Sequence, residues 1–200
     1  MLLNKSSNGT YRLGLVLLSL GNNVLRRLNV RENALPYLKE LTEKTNTTSY
    51  LCILDQDTSL CVERIKGTHA KLLLLNIGDR WPLYTGGTAR AMLAYLDDTK
   101  INSILSTVEE GYFTKYALHT PTDYWSLIDS IRQTGYNVSY NDVLDGVSSI
   151  DAPIFDHNSK VIAAVSISNT SNMIYPKREE ELAQMVVETA NKISETLRWK

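Results

Sequence analysis

Cysteine is scarce in this sequence: Cys52 and Cys61 stand alone among 200 residues, both inside apolar runs. A secreted disulfide scaffold carries more cysteines and spaces them through loops, so this pair reads as reduced, buried thiols. Histidine is nearly as rare. His69, His119 and His157 are scattered, none at metal-ligand spacing to another histidine or a cysteine, and no metal site is expected. An excess of charge is also lacking, since 21 basic side chains face 22 acidic ones. Without a basic field, direct contact of these residues with nucleic acid is disfavoured.

No apolar run is long enough to span a bilayer. Leu13 to Leu20 matches the core of a signal peptide in length, but it lacks a small-x-small cleavage site and continues with helical spacing into Asn22, Asn23, Arg26 and Arg27. A cytoplasmic protein without membrane contact is expected. Neither a Gly-x-Ser-x-Gly elbow nor a Gly-x-x-x-x-Gly-Lys-Ser/Thr phosphate loop occurs. The chain is therefore expected to be no enzyme and to need no cofactor.

What is present is a helix–strands–helix order long enough to bury a core of its own. After a polar start with the turn signal Asn8-Gly9, read as part of a hairpin cut off from its partner strand, apolar positions Leu13, Leu17, Leu20, Val24 and Leu28 recur at helical spacing. That helix is apolar on more than one side and needs a partner, either the rest of the domain or a second subunit. Asn29 to Glu32 predicts a capping box, followed by a helix to about Thr45 that Pro36 should kink.

Two β-rich runs flank Asp55–Ser59 as a hairpin, and residues 71–87 read as a third strand and a loop. Helices are predicted over Thr88–Leu96, Asp98–Ser106 and Pro121–Thr134, the last stopped by Gly135. Strands near Val147–Phe155 and Val161–Ser168 precede a final amphipathic helix carrying Leu182, Val186, Ala190, Ile193 and Leu197. Its Glu179-Glu180-Glu181 start reads as a solvated first turn. The pattern predicts an α+β fold with a mainly antiparallel sheet flanked by helices.

Several blocks, in order along nearly the whole chain, resemble the IclR family of bacterial transcription regulators. Tyr11-Arg12-Leu13-Gly14 with Leu18 and Gly21 is similar to the family's passage from the wing into the linker helix. Arg31-Glu32 with Pro36 and Leu38 resembles the start of its sensor domain. Pro82 to Ala94 is similar to Pro-Leu-His-Ala-Thr-x-x-Gly-Lys-x-x-Leu-Ala. Gly135-Tyr136, Gly146 to Asp156 and Ala163 to Ser168 resemble the C-terminal signature.

The resemblance implies a wing remnant and linker helix over residues 1–28, then a GAF-like effector-binding domain over 29–200. It implies a homodimer or homotetramer that binds a small-molecule effector. Operator DNA would be met only through a winged helix preceding residue 1. Carried over position by position, the ligand-lining residues are Leu73, Trp81, Gly87, Thr88, Ser139, Ser149, Ser166 and Ser168.

Departures from the family pattern fall on this region. Tyr84, Gly86, Ala89 and Arg90 stand where His, Thr or Ser, Gly and Lys are common, and Ser149 where Cys is common. Physically, a loop with Gly86 and Gly87 that opens a helix offers unpaired amides to an anion, and Ser166 and Ser168 alternate onto one face of a strand. A small, carboxylate-bearing metabolite is the expected ligand. The alternative from another class is a redox enzyme on a GAF-like fold using Cys52 and Cys61, which should sit close across their hairpin.

Overall fold

The computed structural model describes residues 2–6, 8–26, 28–67, 75–108, 114, 116, 118 and 120–198. The first strands, β1 (Leu3–Lys5) and β2 (Tyr11–Leu13), pair antiparallel with each other through the turn at Gly9. The expected severed hairpin is thus a closed one. Asn8 accepts bonds from Ser6 and Thr10 inside the turn, so the loop carries its own fastening.

Helix α1 (Val16–Arg26) comes next, later than the apolar spacing placed it because Leu13 belongs to β2. None of its residues is buried. Helix α2 (Asn29–Thr45) runs through Pro36 as one element. Leu28 is its N-cap and no side chain caps it, so the capping box expected at Asn29 does not form; burial of Ala34, Leu38 and Leu41 fixes the helix instead. A capping box does form at Thr120 and Asp123, where Pro121 opens α5 (Pro121–Thr134) and Gly135 ends it in the left-handed conformation.

The main sheet has six strands: β3 (Thr48–Asp55), β4 (Thr58–Ile65), β5 (Arg80–Pro82), β6 (Asn137–Tyr140), β7 (Val147–Phe155) and β8 (Val161–Thr170). Their order is β5-β4-β3-β8-β7-β6, and every neighbouring pair is antiparallel. Of the stretch 71–87 expected to give a third strand and a loop, residues 71–74 lie outside the described residues, and β5 within it forms a short edge strand of the sheet. Helices α3 (Gly87–Leu93), α4 (Asp98–Leu105), α6 (Ser171–Ile174) and α7 (Glu179–Arg198) complete the fold. This is the α+β architecture expected from the sequence.

Both faces of the sheet are covered, which explains why nearly every residue of β7 and β8 is buried, polar ones included. The two-residue period sorts their side chains. Leu51, Ile150, Ala152, Ile154, Ala163, Val165 and Ile167 pack with α2 and α7. Tyr50, Cys52, Cys61 and Ala164 pack with the α3, α4 and α5 side, against Leu83, Met92, Leu93, Ile101 and Ile128. On that second face the apolar lining gives way to polar residues at one end, and the candidate site lies there.

Candidate functional site

The strand register assembles the site. Ser139 of β6 lies opposite Ser149 of β7, Ser149 opposite Ser168 of β8, and Asp151 opposite both Asn137 of β6 and Ser166 of β8. Tyr50 and Thr48 of β3 continue the row, opposite Ser166 and Ser168. Alternation therefore puts Asn137, Ser139, Ser149, Asp151, Ser166 and Ser168 on one face, all of them buried. Six polar side chains withdrawn from water need partners, and much of their satisfaction is mutual.

The N-terminus of α3 comes down onto this polar row. Gly86 holds φ 73°, a left-handed value that suits glycine, and its α-carbon faces the Trp81 ring. At Gly87 the approach to β7 is so close that a Cβ would collide with the Asp151 carboxylate and lie 2.6 Å from Ser149 Oγ. Among the described residues, no hydrogen bond to a residue outside the helix ends on the backbone amides of Gly87, Thr88 or Ala89. These amides are the donors expected of a helix start. The group standing against this helix start is the chain's own carboxylate.

Asp151 is 1% exposed. Its Oδ2 accepts a bond of 2.8 Å from Ser149 Oγ and a long one of 3.4 Å from Asn137 Nδ2. Its Oδ1 has no hydrogen bond within the described residues, nor has Asn137 Oδ1. Burial pushes the Asp151 carboxyl up to about 7, against the opposing pull of Ser166, Ser149, Arg90 and Asn137. Near neutrality this group exists in both protonation states.

Trp81, Gly86, Gly87, Thr88, Ser139, Val143, Ser149, Asp151, Ser166 and Ser168, with Tyr50 and Leu75, enclose a cavity of about 20 Å³. That is room for roughly one water-sized group, so a larger ligand requires the lining to move outward. Trp81, on the short edge strand β5, is the half-buried part of this wall. Trp81, Gly87, Thr88, Ser139, Ser149, Ser166 and Ser168 are expected from the sequence to line a ligand, and the structure brings all of them around this one cavity. Leu73 lies outside the described residues. Asp151, absent from the expected set, is the most polar element of the lining.

Behind the cavity, Arg90 of α3 and Asp142, in the connection after β6, form a buried ion pair, and Ser139 Oγ donates to the other Asp142 oxygen. This pair pins the α3 helix to the end of the polar row. Elsewhere, Cys52 and Cys61 are cross-strand partners, both buried and both free. A hydrogen bond within the pair eases ionisation of Cys52, while the same contact and burial push Cys61 well above the ordinary thiol range. Burial keeps both thiols away from solvent. Among the described residues no cluster of His, Cys, Asp and Glu could hold a metal, and no helix is long and apolar enough to cross a membrane.

A six-stranded antiparallel sheet covered on both faces, with a buried polar pocket under a short helix, is an α+β domain of the GAF-like kind. The family described as "Bacterial transcriptional regulator IclR C-terminal" matches residues 22–195, and the chain belongs to it. It is 33% identical over 192 residues to the HTH-type transcriptional regulator KipR of Bacillus subtilis (strain 168), covering 96% of this chain and 77% of that protein. The Thermotoga maritima IclR crystal structure superposes with TM-score 0.87 at 26% identity, covering 99% of this chain and 80% of the other. An IclR homolog from Microbacterium hydrocarbonoxydans, solved with 4-hydroxybenzoate, shares the fold with TM-score 0.84 at 22% identity, covering 100% and 80%. The chain spans about two thirds to three quarters of the length of the first curated relatives it matches.

Proposed function

We propose that residues 29–200 sense a small carboxylate-bearing metabolite in the cytoplasm, and that 1–28 link this sensor to a separate winged helix that binds operator DNA. The observation that carries the reading is the enclosed polar row itself. Ser139, Ser149, Asp151, Ser166 and Ser168 are buried beneath the α3 N-terminus beside a cavity, an arrangement that stability alone does not call for. Trp81 and Leu75 supply the apolar wall, and Thr88 with the amides of Gly87 to Ala89 supplies donors for a carboxylate. The relatives named above are regulators, which supports sensing without turnover.

Binding in this pocket acts on α3 and, through Arg90 and Asp142, on the segment joining β6 to β7. The exposed apolar surface of β2 and α1 supports assembly into a dimer or tetramer, the arrangement through which two DNA-binding halves would be held at a fixed spacing. A thermal-shift screen over small organic, sugar and aromatic acids tests the sensing role, because a ligand of the native state raises the melting temperature. A saturable rise without consumption of the compound is expected, weakened about ten- to a hundredfold by Ser166→Ala or Ser168→Ala where that hydroxyl meets the charge. Turnover of the ligand, or a rise indifferent to both variants, would sink the reading.

A further inference from the structure

We propose that Cys52 and Cys61 are an oxidation site: hydrogen peroxide joins them in a reversible disulfide within one chain, and the new bond releases Thr88, at the start of α3, from the Cys52 sulfur. The disulfide stands independently of the effector-binding reading above, whereas its bearing on an effector rests on that reading.

The backbone around Cys61 fixes the geometry. Its N–H donates to the Asp79 carbonyl at 3.0 Å, and its own carbonyl accepts from the Gly78 N–H at 2.8 Å, so both of its main-chain groups point away from β3. Cys52 lies opposite on β3. The two therefore occupy a non-hydrogen-bonded position of the ladder, the narrow kind in which facing α-carbons come within about 4.5 Å. Disulfides span α-carbons about 4.4 to 6.8 Å apart, so this one closes with little movement of either strand. The register slips beside the pair, where Leu51 faces Glu63 and Cys52 faces Cys61, leaving Val62 as the extra residue of a bulge. Such an irregularity takes up local twist. Both side chains pack on the α3 side of the sheet, and their sulfurs share a hydrogen bond.

The surroundings divide the labour between the two thiols. Cys52 receives hydrogen bonds from Cys61, Thr88 and Ser59, which favour its thiolate against burial and against the Asp151 carboxylate. Cys61 is held protonated by the same contact, by burial and by Asp79. Cys52 is thus the attacking sulfur. Its thiolate takes one oxygen of the peroxide as the O–O bond breaks, giving a sulfenic acid and a hydroxide that recovers the thiol's proton as water. The Cys61 sulfur then attacks the Cys52 sulfur, the S–O bond breaks, and the departing oxygen leaves as water with the Cys61 proton. Two thiols are oxidised and one peroxide is reduced to two waters. Burial excludes large oxidants, but peroxide is uncharged and little bigger than water. Among the described residues, the outer side of β4 is bonded only to the three-residue β5 and to Gly78 and Asp79, an edge of the kind that opens at low cost.

Once joined, the Cys52 sulfur is drawn toward Cys61 and is neutral, a weak acceptor for the Thr88 hydroxyl. Thr88 lines the cavity together with Trp81, so the state of the pair is read at the pocket through this one side chain.

Treating the chain with millimolar hydrogen peroxide, then alkylating in denaturant and mapping tryptic peptides by mass, tests the first step. Residues 45–64 form one tryptic peptide that holds both cysteines and no methionine, so oxidation elsewhere does not confuse it. That peptide is expected to emerge lighter by two hydrogens, closed to alkylation and restored by dithiothreitol, while Cys61→Ala stops at oxygen adducts of Cys52. Tryptophan emission tests the second step: it should differ between the oxidised and reduced chains, and the difference should vanish in Trp81→Phe and in Thr88→Val, with circular dichroism checking each fold.

Free thiols in the folded chain under conditions that oxidise the unfolded chain, oxygen adducts in place of the disulfide, or a link between chains would overturn the oxidation site. A disulfide without the Trp81 difference would overturn its connection to the pocket. Neither result touches the effector reading, which falls only to the ligand screen described above.

Discussion

Gly87 and Asp151 occupy one another's space as only a glycine permits: the α3 backbone rests where a methyl group would strike the carboxylate. Residue 87 is not among the positive-φ glycines, so close approach alone demands the missing side chain. Gly87→Ala should then destabilise the domain by roughly 1 to 3 kcal/mol, the usual cost of overpacking a close contact. Removing the obstacle should relieve it. In denaturant titrations, Gly87→Ala is expected to cost markedly less in an Asp151→Ala background, a coupling between touching residues that distant ones lack. Additive effects would mean that the collision is absorbed elsewhere.

Asp151 also sets an expectation for pH. Its carboxyl is raised to about 7 in the folded chain, whereas the unfolded value is near the ordinary 3.9. Between those values the folded state holds a proton that the unfolded state has released, so stability falls as pH rises from about 4 to about 7 and levels off above. The contribution is on the order of a few kcal/mol. Asp151→Asn should remove this slope while leaving that from other groups, so the difference between the two unfolding midpoints, tracked from pH 4 to pH 8, isolates it. Parallel profiles would show that Asp151 is ionised in the folded protein throughout.

The Arg90–Asp142 pair gives an expectation of opposite character. Both side chains are buried, and Ser139 completes the bonding of the carboxylate. Asp142→Ala strands a guanidinium in the interior and should cost about 3 to 5 kcal/mol, whereas Arg90→Met with Asp142→Leu, which removes both charges, should cost less than the single change. Thermal melts of the three proteins decide it. A double variant as unstable as Asp142→Ala would show that bond geometry, rather than stranded charge, dominates.

Much of this architecture is legible in the residue pattern. The alternation in Val147–Phe155 and Val161–Thr170 gives strands, and Pro121 with Gly135 brackets α5. The seven described residues expected to line a ligand converge because strand register, set by alternation, carries Ser139, Ser149, Ser166 and Ser168 to one face. Asp151 escapes such a reading because an isolated Asp in a strand suggests a side chain facing water. The signal lies in its neighbours: with Ile150, Ala152 and Ile154 apolar on one parity and a strand covered on both faces, residue 151 has to be buried as well. Helix starts are less legible. Asn29 and Thr120 both offer capping chemistry, but in α2 the packing of Ala34 and Leu38 decides where the helix begins.

The N-terminal segment carries the last expectation. Leu13 is 75% exposed, Leu15 82%, Leu18 64%, Leu20 50% and Val24 61%, on β2, α1 and the turn between them. Side chains of this type bury about 1.5 to 3 kcal/mol each when a partner covers them, and a contiguous apolar patch of several marks an interaction surface. In α1, Val16, Leu20 and Val24 recur at four-residue spacing and so form one stripe, fit to meet the same stripe of a second copy across a two-fold axis. The chain should therefore sediment as a dimer or larger at micromolar concentration. Leu20→Glu with Val24→Glu should shift it toward monomer while the melting of the core, built from α2 to α7, changes little, because no residue of α1 is buried in it. A sedimentation profile unchanged by both charges would place the subunit contact on another face, and a monomer at high micromolar concentration would deny that the segment associates with itself.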